Sequence, residues 1–299
     1  MKLIQILEKA KNKHNFINLD NYIEFCFNYL NYISDNLQAI IVSQNENHYR
    51  FYQYDSAGSF QITRPINSNL MYNAKEFEIY SKEYIKILKK IKTIRKKDKN
   101  LRNIINNSTY TIQQSIGATL DALPAGQSNT ARKLNGDLFE SFIRLIINEI
   151  GIDCKAGVVQ IPVFIGKEKA FDMSYQHDLI IEKNCEIKVI GSIKTSSKDR
   201  LDKIFIDKFL YNKLTEKDIP HIAIFLNDVQ RKNTRKENEY AINSTFLPGH
   251  FKGYTVKLNS LDGVYYCDIR PNMLTEPILK DNINTFDKLI VEDIWNLID

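Results

Sequence analysis

The chain has 299 residues, 43% of them hydrophobic and 26% charged, with a formal net charge of +5. This balance describes an ordinary globular protein with enough chain to bury a substantial core, as one large domain or two small ones. The four cysteines (Cys26, Cys154, Cys185, Cys267) show no Cys-x-x-Cys spacing, which disfavours a zinc site or a disulfide framework. The start of the chain lacks a signal-peptide pattern and no apolar run is long enough to span a bilayer, so a cytoplasmic protein is expected.

Residues 2–39 carry apolar side chains at helical spacing, including Leu3, Ile6, Leu7 and Ala10, then Tyr22, Phe25, Cys26, Tyr29 and Leu30. The period then changes, and 39–42, 49–54 and 60–63 read as three short strands with a turn at Asp55–Gly58. Helix is expected again over 75–106, where Ile85, Leu88 and Ile91 form a stripe. A further helix over 112–123 should stop at Pro124-Ala125-Gly126. The positive charge is concentrated here: Lys82–Arg102 holds ten Lys or Arg residues against Glu83 and Asp98. That pattern suits a solvated helix face and also suits phosphate neutralisation.

A polar loop is expected over 124–133, then a helix from Gly136 to Ile150, and strands at 158–163, 178–182 and 186–194. A helix over 199–214, a buried strand at 222–226, a hairpin-like 265–269 and a last helix near 285–297 complete the chain. This order implies an α/β fold in which helices flank a mixed central β-sheet, preceded by an N-terminal α+β region. The division predicted is 1–110 for that region and 111–299 for the sheet-bearing domain.

The chemistry concentrates at Gly191-Ser192-Ile193-Lys194-Thr195-Ser196-Ser197-Lys198-Asp199-Arg200. The apolar run Ile187–Ile190 leads into it, which places Lys194 at the end of a buried strand. A lysine there is costly without an anionic partner. Asp178, in His177-Asp178-Leu179-Ile180-Ile181, stands at the mouth of a second apolar strand. Taken singly, each has a plain structural reading: Asp178 as a turn or cap residue, Lys194 as a strand-end lysine reaching to solvent. An acid and a lysine on neighbouring strands are also how a metal-dependent nuclease is usually assembled. The five histidines show no metal-binding pairing, and neither a phosphate-binding Gly-x-x-x-x-Gly-Lys-Ser/Thr loop nor a Gly-x-Ser-x-Gly elbow is present.

Asp178…Ser192-Ile193-Lys194 resembles the PD-(D/E)XK nuclease core. The run Lys194-Thr195-Ser196-Ser197-Lys198-Asp199-Arg200 is similar to the Lys-Thr-Thr-x-Lys-(Asp/Glu)-Arg segment of EcoRII-like and NgoMIV-like type II restriction endonucleases. In that group the second acid moves to the following helix and Ser fills the vacated strand position. The resemblance therefore implies Ser192 in that place and Asp207 as the relocated acid. Two departures are a His before Asp178 and a short Asp178-to-Lys194 spacing, and they make Asp172 a reserve for the first acid.

By the resemblance, Asp178, Lys194, Asp207 and Glu140 would be catalytic, with Mg²⁺ held by Asp178 and Asp207. Lys198, Asp199 and Arg200 would read base edges in a site containing CC and GG, because carboxylates accept from cytosine N4 and Arg or Lys donates to guanine O6 and N7. Asp199 also reads as a helix cap. The expected activity is Mg²⁺-dependent, sequence-specific double-strand cleavage by a homodimer on double-stranded DNA, with a DNA methyltransferase as genetic partner. A repair or recombination nuclease of the same fold, or a silent DNA-binding protein, are the other readings.

Overall fold

The structure is a computed structural model covering residues 1–299. It describes all of them except Ala57, Gly58, Arg95, Ala125 and Asp199, and the side chains of Asp55, Ser56, Ser59 and Phe60. Part of the expected Asp55–Gly58 turn thus lies outside the described residues.

The N-terminal part contains α1 (Leu3–Lys11), α2 (Leu19–Asn36) and α3 (Ala74–Lys89), which pack on one another and on the helix Lys99–Leu120, and a small antiparallel sheet. That sheet contains β1 (Ala39–Val42), β2 (Tyr49–Ser56), β3 (Ser59–Ile62) and β4 (Ile66–Asn67), with β2 at its centre. Local chemistry sets the helix starts. The Asn18 side chain accepts from Asn21 N to open α2, and Asn73 with Glu76 forms a reciprocal cap on α3.

The helix expected to run to 106 stops at Lys89, and the segment expected at 112–123 belongs to a longer helix, α4 (Lys99–Leu120). Asp98 starts α4 by accepting from Asn100 N and Leu101 N. From Ile104 to Leu120 nearly every residue of α4 is buried, although many are Ser, Thr, Gln or Asn. The helix absorbs part of that polarity itself: Thr109, Ser115 and Thr119 each donate to the carbonyl four residues earlier, and Gln114 donates to Tyr110 Oη. Gln113 bonds Asn135, and Asn106 bonds the Cys267 carbonyl. The boundary expected at 110/111 falls inside this helix, and one cluster of buried side chains joins Ile6 to Ile294.

The following helix, α5 (Ser128–Glu149), begins within the stretch expected to be a loop. Then come β5 (Cys154–Ile165), β6 (Glu168–Lys183), β7 (Glu186–Ser196), α6 (Leu201–Thr215) and β8 (His221–Asn227). A hairpin of β9 (Val229–Asn233) and β10 (Tyr240–Ser244) follows, with α7 (Pro248–Lys257), β11 (Gly263–Tyr266) and β12 (Ile283–Thr285) behind it. The main sheet has the order β12-β11-β8-β7-β6-β5. Its β5–β6–β7 half is antiparallel and its β7–β8–β11–β12 half parallel, so the mixed sheet flanked by helices is what forms.

The hairpin expected at 265–269 is instead β11, parallel to both neighbours. Its residues, like those of β8, are buried throughout, as expected where helices cover both faces. Ile222, Ile224 and Leu226 face the cluster that includes α5, while Ala223 and Phe225 face Leu201, Phe205 and Phe251 of α6 and α7. Pairing of β6 with β7 begins at Leu179, whereas β5 follows β6 back to Glu168, so the two strands extend past β7 as an arm. Among the described residues no helix is long and apolar enough to cross a membrane.

Candidate active site

Three elements converge on one ammonium group. Lys194, near the end of β7, donates from Nζ to Asp178 Oδ2 on β6 at 2.5 Å and to Glu140 Oε1 on α5 at 2.9 Å. The same Asp178 oxygen accepts from Ile193 N at 2.9 Å. The Lys194 and Glu140 side chains are 29% and 23% exposed and Asp178 only 14%, so the group is shielded but not sealed from solvent.

Burial opposes the charge on Lys194, but Asp178 and Glu140 outweigh it and raise its pKa above the usual lysine value. The side chain is therefore an ammonium at neutral pH. Burial, aided by the charge of Asp178, raises the Glu140 carboxyl above its ordinary range, with Lys194 and Arg144 pulling the other way. Arg144, one helical turn after Glu140, donates from Nη1 to the main-chain oxygen of Asp178 at 2.8 Å. The sequence reading passed over Arg144. Its four-residue spacing from Glu140 on one helix face was the available signal.

Asp207 is not brought into this group. It lies on α6 and pairs with Lys203, and its negative charge acts on His177 and His221. His177 is buried among Tyr175, Tyr211 and His221, and burial with the neighbouring His221 lowers its pKa to about 4. Asp172 is also away from the site. It sits on the β5–β6 arm paired with Lys169 at 2.7 Å, six residues from Asp178, or roughly 20 Å along an extended strand.

Lys198 and Arg200 are both exposed in the connection from β7 to α6. Lys198 Nζ donates to Gln230 Oε1 on β9 at 3.3 Å, and Arg200 precedes the first turn of α6. Asp199, between them, lies outside the described residues. Of the basic segment 82–102, Arg102 is committed internally, bonding Asp287 and Glu292 at 2.6 Å each.

Two carboxylates of hard oxygen around Lys194 suit a divalent cation such as Mg²⁺. Among the described residues no three or more His, Cys, Asp or Glu side chains are assembled as a metal cage. Asp178 and Glu140 are the two carboxylates at this group that could contribute ligands to such an ion.

No family model and no curated protein matches this sequence. Among solved structures, the type IIP restriction endonuclease Kpn2I superposes with a TM-score of 0.73 at 17% identity, over 99% of this chain and 97% of that one. The restriction endonuclease PspGI, solved with substrate DNA, gives 0.43 at 14% identity, over 74% and 92%. At 17% identity the likeness to Kpn2I is one of architecture, and it spans both chains nearly end to end: this chain has a restriction-endonuclease fold.

Proposed function

We propose that the protein is a type II restriction endonuclease that hydrolyses both strands of duplex DNA at a specific site. The observation that carries this reading is the convergence of Asp178, Glu140 and Lys194 from β6, α5 and β7 onto one salt-bridged group. Its occurrence in a restriction-endonuclease fold supports the assignment.

In this reading Asp178 and Glu140, the two carboxylates that meet at Lys194, would hold Mg²⁺. Asp207 joins them only by leaving Lys203. The chemistry that Mg²⁺ supplies when bound is charge on the phosphate and an acidified water. Lys194, kept protonated by its two acids, orients the attacking water and places positive charge where the phosphate gains negative charge. Glu140, which accepts from Lys194 Nζ at 2.9 Å, would hold the ammonium in place beside the phosphate.

Lys198, Asp199 and Arg200 read base edges, with a CC/GG-containing palindrome as the expected site. The exposure of Lys198 and Arg200 beside the site supports that assignment. Two strands cut symmetrically call for a homodimer with a two-fold axis. A DNA methyltransferase would protect the host's own sites.

Cleavage of a sequence-diverse DNA library, with ends sequenced after incubation in Mg²⁺ or in chelator, tests the proposal. Double-strand ends at one palindrome, seen only with Mg²⁺, are expected. Cuts governed by branched or damaged structure would overturn it in favour of a repair nuclease. Tight binding without cutting would mark a silent DNA-binding protein.

A further inference from the structure

Asp178 reaches Lys194 because β6 departs from regular pairing at that point. Lys155 of β5 pairs with Ile180, but Gly157 pairs with His177, so β6 carries one more residue than β5 over the interval. On the other side, pairing with β7 begins only at Leu179. A bulge of this kind re-aims a side chain and leaves main-chain groups without ladder partners. Both consequences are visible. The amide of Ile193 is met by the Asp178 carboxylate at 2.9 Å. The carbonyl of Asp178 is met by Arg144 at 2.8 Å.

Arg144 and Glu140 lie four residues apart on α5, hence on one face. Glu140 grips the β7 lysine, while Arg144 grips the main chain of β6. Arg144 thus supplies a side-chain donor to a main-chain oxygen at the register shift, where ladder pairing is disrupted.

We propose that Arg144 is a positioning residue: by binding the main-chain oxygen of Asp178, it holds the β6 bulge that aims the Asp178 carboxylate at Lys194 and Ile193 N. The consequence for catalysis rests on the nuclease reading above. The consequence for the backbone does not.

The test measures amide exchange in the full-length protein with isotopically labelled isoleucine, alongside DNA cleavage. Ile193 reports the Asp178 bond, and Ile190, whose amide donates to Pro220 O, serves as the internal control. In Arg144→Ala, Ile193 should exchange at least about tenfold faster while Ile190 stays within about twofold. Cleavage should fall about 10–100-fold in kcat with KM for DNA unchanged, as for loss of a partner behind a ligand. Arg144→Lys, which keeps a donor, should recover much of both.

Unchanged Ile193 exchange in Arg144→Ala overturns the proposal. So does parallel acceleration at Ile193 and Ile190, which would show loss of fold and not of aim. If the wild-type protein cuts no DNA, the nuclease reading fails, and Ile193 exchange alone decides the role of Arg144.

Discussion

Asp178 and Asp268 are both acids beside the central sheet, and their surroundings are opposite. Asp178 faces a cation, Lys194, and keeps part of its surface open. Asp268, two residues past β11, is enclosed, and its side-chain hydrogen-bond donors among the described residues are neutral: Tyr49 Oη at 2.9 Å on Oδ2 and Asn67 Nδ2 at 2.8 Å on Oδ1. Burial pushes its pKa up to about 7, with the nearby Asp228 adding to the shift against the pull of its hydrogen bonds and Arg270. The first arrangement keeps charge available for a ligand. The second uses a carboxyl to tie β2 and β4 of the small sheet to the end of β11. Being buried and acidic does not make a group catalytic; the partner decides what it can do.

The largest effect should separate the two acids by activity. Lys194→Ala and Asp178→Ala should lower cleavage by at least about 10²–10³-fold, the scale of a lost transition-state charge contact. DNA binding should stay within about tenfold. Asp172→Ala should cut normally, because its partner is Lys169 on the arm. Activity in Asp178→Ala with a dead Asp172→Ala would move the first acid to the arm.

Asp268→Ala should do the converse, costing about 2–4 kcal/mol of stability because buried donors lose their acceptor. The folded fraction should still cut at the wild-type rate. Urea denaturation followed by cleavage assays measures both. The sign of the pH dependence sharpens the contrast. Asp268 titrates near 3.8 when unfolded and about 7 when folded, so its contribution is full below about pH 4 and lost as pH rises through 7. Asp268→Asn should remove that part of the decline, and an unchanged pH profile would refute the raised pKa of Asp268.

Asp207 belongs to neither arrangement in the present geometry. If its carboxylate joins the site when DNA and Mg²⁺ bind, Asp207→Asn should slow cleavage about 10–100-fold and raise the Mg²⁺ needed for half-maximal rate. Full activity would leave Asp178 and Glu140 as the acid pair.

The smallest effect concerns His177. Its pKa is about 4 folded against 6.5 unfolded, so stability present above 6.5 should decline as pH falls toward 4. His177→Phe should flatten that decline, read from melting temperatures across the window.

Legibility followed pattern strength. The apolar runs behind Asp178 and Lys194 are strands because alternating or continuous apolar residues leave few other choices, and that was readable. Glu140 is a candidate only through the resemblance, which implies a metal-site glutamate and not the Lys194 contact that forms, since a helix glutamate has no local mark of its task. Helix α4 was divided wrongly because its buried face is full of Ser, Thr, Gln and Asn, which hydropathy scores as solvent-facing. Only tertiary partners such as Asn135 and Cys267 reveal that burial. The parallel pairing of β11 was hidden for a different reason: its partners, β8 and β12, are separated from it in sequence, and local turn signals cannot specify them.

Helix α4 also limits how such a chain can be rearranged during evolution. Its buried residues contact the N-terminal helices, α5 and the segment after β11. A recombination junction near residue 110 would join halves of a helix whose two ends were fitted to different neighbours. Exchange of the first hundred residues between homologous genes would succeed only if those contacts travelled with them. If Lys198 and Arg200 read bases as proposed, changes at these exposed positions would alter target preference with less disturbance than shuffling halves.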